Sequence, residues 1–371
     1  MIPLRSQLSS GLNSRFTQSG LSFADYVEDM RAIIAETRLD LKPENRDKII
    51  AANAPFELRP ENYDGKRAIL LVHGLFDATL SIQDLGKIFY AQGFLVRAVL
   101  LPGHGTVPGD LLDISHEEWI KATQYGIDSL YPEADEVYFG GFSTGGALGL
   151  YHALMRENLA GLFLIAPAKK LSFIAAFANH LFGITRLLTN EEKWIVRHTQ
   201  DDYAKYNIFP MRSSQEVDAL IARVSHLSTH HLVQIPIFMV LSHDDETINT
   251  EAALKFFTEQ PHPKNRLIYY SNDALKTKDN RITVVGSRFP EQHILSFSHI
   301  CLAMAPDNPH CGMNGDYHEP IFKVAKTEDE TIYRGALKDK HIKHHCFQRL
   351  SYNPDFENMT QQMVEFLEII K

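Results

Sequence analysis

Short apolar runs alternate with amphipathic segments through the first half of this chain, and this alternation constrains its fold more than any other feature. A strand buried on both faces needs a continuous apolar run, and strands separated by helices usually lie parallel in one sheet. The runs that we assign to strands cover residues 68–72, 95–101, 137–142 and 162–166, and the intervening helices include 81–92 and 144–156. The sequence therefore predicts an α/β protein with a mostly parallel, doubly wound sheet.

Segments of different character precede and interrupt this core. Residues 1–64 carry apolar side chains at helical spacing, which predicts an N-terminal helical extension. Residues 167–234 are amphipathic and show no clear strand, which predicts a helical cap between two parts of the core, 65–166 and 235–371. Within the second part, residues 305–349 are polar and rich in histidine, and we expect an insertion there.

Composition excludes several classes of protein. Hydrophobic residues make up 44% of the 371 residues and charged residues 22%, which is typical of a globular protein. The net charge of −9 and the lack of a basic block give no reason to expect a nucleic-acid partner. Three cysteines do not form a disulfide framework, and no apolar stretch approaches the roughly 20 residues that span a bilayer. We therefore expect no stable membrane insertion and, with no signal peptide at the start, a cytoplasmic protein whose oligomeric state is open.

Residues 141–145 read Gly-Phe-Ser-Thr-Gly between an apolar strand and a helix. A G-x-S-x-G motif in that setting is typical of a sharp turn that exposes the serine hydroxyl to a base. The hydroxyl is a poor nucleophile unless a base removes its proton, and glycines leave room for the strained turn. We therefore predict that Ser143 is a catalytic nucleophile.

Such a serine needs an acid and a base, which follow it in that chain order. An apolar strand over 236–242 leads into adjacent carboxylates, of which we favour Asp245 as the acid and keep Asp244 as the alternative. The run from Ile294 ends at His299, which we expect at a strand end and predict to be the base. The rival histidines His293, His310 and His318 lie in predicted loops without that context.

Two backbone N–H groups are needed to bind the negative charge that develops on a substrate oxygen. One candidate is Thr144, directly after the serine. The other is Leu75, in the loop that follows the first core strand, where Gly74 allows a close approach of the backbone. His73 precedes the serine in the chain, and we expect it to orient this loop rather than to act as the base.

Taken together, His73-Gly74, the Leu101–Gly105 loop, the Ser143 motif, Asp245 and Ser298-His299 resemble the α/β-hydrolase superfamily. The similarity is strongest to bacterial carboxylesterases of the monoacylglycerol-lipase-like group and covers about residues 66–302. It implies an α/β-hydrolase fold and a serine esterase without a cofactor. The extension, the long stretch before His299 and the 305–349 insertion depart from that group, so its substrate preference does not carry over.

The apolar stretch 171–184 is interpreted either as a lid over the acyl part of a small ester substrate or as a cap helix packed on the core. We expect Ile174 and Phe177 in this stretch, with Phe76 and Phe142 beside the loop and the serine, to contact the substrate. The triad predicts a serine carboxylic-ester hydrolase with a hydrophobic acyl preference, of the carboxylesterase or monoacylglycerol-lipase kind. A thioesterase or acyltransferase would use the same triad, and a non-catalytic binding protein of the same fold is a third possibility.

Metal and thiol chemistry are weaker interpretations. His341, His344 and His345 are close in sequence, but no carboxylate or cysteine completes a closed metal site, so we expect no metal. Cys301 follows the predicted base, yet no second motif supports a reactive thiol.

Overall fold

The computed structural model describes residues 4–155, 158–172, 194–196, 201–273, 275, 277–323 and 331–371. In chain order its strands are β1 Phe56–Leu58, β2 Arg67–Val72, β3 Leu95–Val99, β4 Glu136–Phe142, β5 Gly161–Ile165, β6 Trp194–Val196, β7 Ile208–Pro210, β8 Ile237–Ser242, β9 Arg266–Tyr270, β10 Ile282–Val285, β11 Ile321–Phe322, β12 Ile332–Gly335 and β13 Cys346–Arg349. Its α-helices are α1 Phe23–Thr37, α2 Arg46–Asn53, α3 Leu80–Ala91, α4 His116–Leu130, α5 Thr144–Leu154, α6 Met211–Ser228, α7 Thr250–Glu259, α8 Asp339–Ile342 and α9 Phe356–Ile370.

Eight strands form the central sheet in the order β1-β3-β2-β4-β5-β8-β9-β10. All neighbours are parallel except the pair of β1 and β3. The predicted α/β class and the mostly parallel sheet are therefore confirmed. Side chains of β2, β3 and β5 are almost all buried, as the continuous apolar runs require.

The N-terminal extension is joined closely to the core. Its helix α1 buries one face, and the Tyr26 hydroxyl accepts a hydrogen bond from the backbone N–H of Leu100 at 3.1 Å. Farther upstream, Asp110 accepts hydrogen bonds from the hydroxyl groups of Ser9 and Ser10, each at 2.9 Å. The extension also contains β1, an edge strand of three residues, although only helices were predicted there. A strand of that length is too short to show a periodic pattern.

Two other segments contain strands that the sequence did not predict. Within 167–234, β6 and β7 form an antiparallel pair ahead of α6, so the expectation of a segment without strands was wrong. Within 305–349, a small sheet has the order β11-β13-β12. In the described ranges, no helix is both long and apolar enough to cross a bilayer.

The loops that follow β2, β4 and β8 carry candidate functional residues, and His299 lies in the long loop region after β10. In a parallel sheet the carboxyl ends of neighbouring strands meet at one edge, where loops converge and ligands bind. β2, β4, β5 and β8 are consecutive neighbours, so the loops after them lie side by side. This edge of the sheet therefore carries the candidate site.

Candidate active site

Ser143 stands on a sharp turn between β4 and α5, with a φ of 54° and a ψ of −112°. Positive φ is strained for a residue with a side chain, and the surroundings must hold it. Its N–H donates to the Ile165 carbonyl at 3.0 Å, and its own carbonyl accepts from the Ala168 N–H at 3.0 Å. The end of β5 therefore fixes the turn that exposes the hydroxyl.

The glycines of this turn allow a backbone approach that no other residue could make. A Cβ on Gly145 would lie 2.1 Å from the carbonyl oxygen of Val72, and one on Gly141 would lie 2.3 Å from the Gly145 backbone. The turn is thus pressed against the end of β2. The spacing of glycines in the sequence reflects this contact.

His299 joins Ser143 to Asp245 in one chain of hydrogen bonds. Its Nδ1 lies 2.6 Å from Asp245 Oδ2, and its Nε2 lies 2.9 Å from Ser143 Oγ. A carboxylate can only accept, so Nδ1 carries the proton and Nε2 is left to accept from the serine hydroxyl. The three side chains, far apart in the sequence, are thus linked through the imidazole.

Asp245 is held by its own loop directly after β8. Its Oδ1 accepts from the backbone N–H groups of Thr247 at 2.8 Å and Ile248 at 2.9 Å, and its side chain is fully buried. The adjacent Asp244 turns elsewhere and lies 3.2 Å from the ammonium group of Lys340. Of the two candidate acids, Asp245 is therefore the one that contacts His299.

His299 does not lie at the end of a strand, and that part of the prediction was wrong. Residues 294–299 form a loop that is fixed by isolated hydrogen bonds instead of a strand ladder. One of them, of 2.8 Å, runs from the Ser242 hydroxyl to the Phe297 carbonyl. A short 3₁₀ turn, Ile300–Ala303, begins directly after the histidine. An apolar run that is buried inside a loop has the same sequence pattern as a strand.

Leu75 and Thr144, whose N–H groups were predicted to bind an oxyanion, border the same cavity as Ser143. Neither N–H donates to a backbone acceptor within the part of the chain that the structure describes. The next N–H, of Phe76, is already used, because it donates to His104 Nε2 at 3.1 Å. Leu75 N–H has no such partner among the described residues, and Leu75 lines the cavity, so this N–H is available to a ligand there.

Two buried histidines fix the loop that carries Leu75. His73 Nε2 accepts from the Leu101 N–H at 3.0 Å, so its Nδ1 donates to the Gly74 carbonyl at 2.8 Å. Burial lowers the pKa of His73 to about 4 and that of His104 to about 3, so both rings are neutral near pH 7. His73 therefore contacts the loop backbone rather than the serine.

A cavity of about 250 Å³ opens beside the Ser143 hydroxyl. Half of the residues that line it are apolar: Leu75, Phe76, Ala168, Leu171, Ile195, Phe209, Val217 and Ile300. Phe76 is thus part of the cavity wall. Phe142 is not among the described lining residues; as the last residue of β4 it is buried under the site, with its ring 5.1 Å from that of His299. Ile174 and Phe177 lie outside the described residues.

Two buried ion pairs also border this cavity, and sequence reasoning missed both. Lys205 Nζ lies 3.1 Å from Asp77 Oδ1, and Arg349 Nε donates to Glu246 Oε1 at 2.7 Å. The second oxygen of Glu246 accepts from the His299 N–H at 3.3 Å. Lys205 and Arg349 belong to no motif, so the only sequence signal was charge in segments predicted as cap and insertion.

The arrangement is suited to nucleophilic chemistry. A hydroxyl that donates to an imidazole, held in turn by a buried carboxylate, can lose its proton as it attacks a carbonyl carbon. Thiol chemistry has less support, because burial raises the pKa of the Cys301 thiol. Among the described residues, no group of three or more potential ligands is placed to hold a metal ion.

Comparison with known proteins gives a consistent result. The family model described as serine aminopeptidase, S33 (Hydrolase_4) matches residues 64–273. The chain is 24% identical to a carboxylesterase of Bacillus subtilis over 211 residues, which are 57% of this chain and 85% of that protein. It is 29% identical to a thermostable monoacylglycerol lipase of Bacillus sp. (strain H-257) over 113 residues, or 30% of this chain and 45% of that protein.

A solved structure from a study of two metagenome-derived lipolytic enzymes, LipS and LipT, shares the fold. It superposes with a TM-score of 0.50 at 19% identity, covering 60% of this chain and 88% of that one. The family model spans more than half of the present chain, and the resemblance to esterases and lipases of this type is confirmed. The chain belongs to the S33 (Hydrolase_4) family of α/β-hydrolases.

Proposed function

We propose that this chain is a serine hydrolase of carboxylic esters with a hydrophobic acyl part, and that it acts through an acyl-enzyme on Ser143. The observation that carries the proposal is the hydrogen-bonded chain of Asp245, His299 and Ser143 at the wall of a half-apolar cavity. The names of the relatives, a carboxylesterase and a monoacylglycerol lipase, favour esters over other acyl compounds.

In this mechanism Ser143 Oγ attacks the ester carbonyl carbon while His299 Nε2 takes its proton. The N–H groups of Leu75 and Thr144 stabilise the negative charge on the carbonyl oxygen. The carbon–oxygen bond to the alcohol then breaks, and the imidazolium returns the proton to the leaving alcohol. Water, activated by the same imidazole, releases the acid from Ser143.

The buried Asp245 has two tasks in this mechanism. It keeps the proton of the imidazole on Nδ1, so that Nε2 can accept, and it stabilises the imidazolium that forms. Its Oδ1 is already engaged by two backbone N–H groups, so Oδ2 is the oxygen directed at His299. The acid is thus oriented before substrate binds.

The apolar half of the cavity supports an ester with a hydrophobic acyl group. Alkyl carbons gain about 25 cal/mol per Å² of surface removed from water, and the aliphatic and aromatic lining offers such burial. The polar part of the wall includes Thr247 and members of the two ion pairs. An ester with one apolar and one polar end matches this mixed lining.

The test is a chain-length series of p-nitrophenyl esters, from acetate to octanoate, with acyl-thioesters of matching length. Wild-type protein should hydrolyse the esters with a burst of about one p-nitrophenol per chain. Ser143→Ala should lose at least about 10³-fold in kcat, whereas Ser129→Ala, on helix α4, should not. Full turnover by Ser143→Ala would overturn the proposal. Faster turnover of the thioesters than of the esters would show that the protein is a thioesterase instead of an esterase.

A further inference from the structure

The chain segment at the start of β7 is fastened to the loop that carries Leu75. The Tyr206 N–H donates to the Phe76 carbonyl at 2.8 Å, and the Phe209 ring stacks on the Phe76 ring with centroids 3.6 Å apart. Next to these two contacts, Lys205 Nζ lies 3.1 Å from Asp77 Oδ1. A segment of the predicted cap therefore holds the loop at three points.

The loop needs such support because its backbone is strained. Phe76 has a φ of 67°, a conformation that is rare for a bulky side chain. The Asp77 N–H closes the turn by donating to the Gly74 carbonyl at 3.3 Å. Asp77 Oδ2 lies only 2.9 Å from where a Cβ on Gly74 would be, so this carboxylate packs directly on the turn. Any shift of Asp77 would move the Leu75 N–H.

Lys205 holds the Asp77 carboxylate from the cap side. The two side chains are 10% and 6% exposed, so water screens their attraction poorly. Burial alone would lower the pKa of Lys205, but Asp77, Glu319 and other nearby charges raise it overall. The ammonium group therefore stays charged, and the ion pair is maintained at the cavity wall.

We propose that Lys205 is a positioning residue which, through Asp77, holds the turn of residues 74–77 so that the Leu75 N–H faces the substrate's carbonyl oxygen. Lys205 touches no reacting atom in this role. The inference rests on the proposed function, because it assigns Leu75 to the binding of an oxyanion. It adds that the oxyanion-binding loop is competent only while the segment before β7 is seated on it.

The experiment compares Lys205→Met, Lys205→Arg and Asp77→Asn with wild type, using p-nitrophenyl butyrate. Lys87→Met is the control, because Lys87 also pairs with a buried carboxylate, that of Asp84 at 2.8 Å on helix α3, but is itself 62% exposed and is not paired with Asp77. The second readout is the inhibition constant of a butyl trifluoromethyl ketone, whose adduct with a serine places an oxyanion in the site. Removal of one oxyanion donor lowers kcat about 10²–10³-fold, and displacement of a donor should lower kcat by a smaller factor.

Lys205→Met should lower kcat at least about 10-fold and raise the inhibition constant of the ketone by a similar factor, while KM stays within about twofold of wild type. Lys205→Arg, which restores the charge, should recover kcat to within about threefold, and Lys87→Met should match wild type. A rise in KM alone, or unchanged kcat and ketone inhibition, would overturn the proposal.

Thermal unfolding and the stoichiometry of fluorophosphonate labelling show whether each variant is folded. If Lys205→Met does not fold, Asp77→Asn decides by the same criteria, since it removes the same ion pair with little change of shape. If the wild-type protein neither hydrolyses the ester nor takes the label, the proposed function fails, whereas an active wild type with an unaffected Lys205→Met refutes only the positioning role.

Discussion

Replacement of Asp245 by asparagine tests the hydrogen-bond chain more sharply than its removal would. The Thr247 and Ile248 N–H groups donate to Oδ1 at 2.8 and 2.9 Å, so an asparagine would keep its carbonyl oxygen there. Its amide nitrogen would then face His299 Nδ1, 2.6 Å from the present oxygen. Because that nitrogen is a donor, it would favour the tautomer with the proton on Nε2, which cannot accept from Ser143.

The magnitude follows from this tautomer change. Loss of the correct tautomer in a Ser-His-Asp site reduces kcat about 10⁴-fold, which corresponds to about 5.4 kcal/mol of transition-state stabilisation. Asp244→Asn is the control at the neighbouring carboxylate, which is 7% exposed and lies 3.2 Å from Lys340 and 3.6 Å from Lys338. Because Asp245, not Asp244, is hydrogen-bonded to His299, the control should retain activity within about threefold.

The assay is steady-state hydrolysis of p-nitrophenyl butyrate by both variants, with thermal unfolding to verify that each is folded. We expect Asp245→Asn to lose at least about 10³-fold in kcat with little change in KM. A larger loss in Asp244→Asn would refute this reasoning and transfer the role of acid to the neighbouring residue. Losses below about threefold in both would show that neither carboxylate orients the imidazole.

Three further predictions concern stability. Because the pKa values of buried His73 and His104 fall to about 4 and about 3, against about 6.5 when unfolded, the unfolded chain gains protons first as pH drops. As pH falls from about 6.5 to about 4, protonation of each histidine in the unfolded chain should lower the free energy of unfolding by up to about 1.4 kcal/mol per pH unit. Urea titrations of His104→Gln should show a smaller dependence of this free energy on pH. An unchanged dependence would contradict the prediction. Gly145→Ala places a Cβ 2.1 Å from the Val72 carbonyl oxygen and should abolish both stable folding and fluorophosphonate labelling of Ser143. Gly20→Ala, at a position with open space around it, should leave both intact. A well-folded Gly145→Ala that is still labelled would contradict the tight turn. Arg349→Met leaves the Glu246 carboxylate, which is 14% exposed and accepts from the His299 backbone N–H, without its cation. This change should cost up to about 3–5 kcal/mol in denaturant unfolding, and Arg349→Lys should cost less. Equal stability of all three proteins would mean that the pair is not needed.

The parts of the fold that the sequence predicted are those with long, unambiguous patterns. Continuous apolar runs predicted β2, β4 and β5, because burial on both faces leaves no room for polar positions. Short strands such as β1 and β7, of three residues each, contain too few positions to show a period. Each is defined by its pairing with a separate strand, β1 with β3 and β7 with β6, which is tertiary information.

For the site, the Ser143 turn and the three residues of the hydrogen-bonded chain were predictable, but the ion pairs at the cavity were not. The Ser143 turn could be predicted from the five consecutive residues 141–145, because the close approach of residue 145 to β2 requires glycine there. Chain order and apolar context selected Asp245 and His299, although the histidine lies in a loop rather than at a strand end. The pair of Glu246 and Arg349 joins residues 103 positions apart, and no local pattern marks either partner.

The central claim is that Ser143 is the nucleophile, and direct mapping of the modified residue tests it best. The protein would be treated with a fluorophosphonate, digested and analysed by mass spectrometry, with Ser143→Ala and His299→Ala treated in parallel. We expect one label per chain on the peptide that contains Ser143, no label in Ser143→Ala, and slow labelling in His299→Ala. A label on another residue, or ester hydrolysis that persists while Ser143 stays unmodified, would contradict this account.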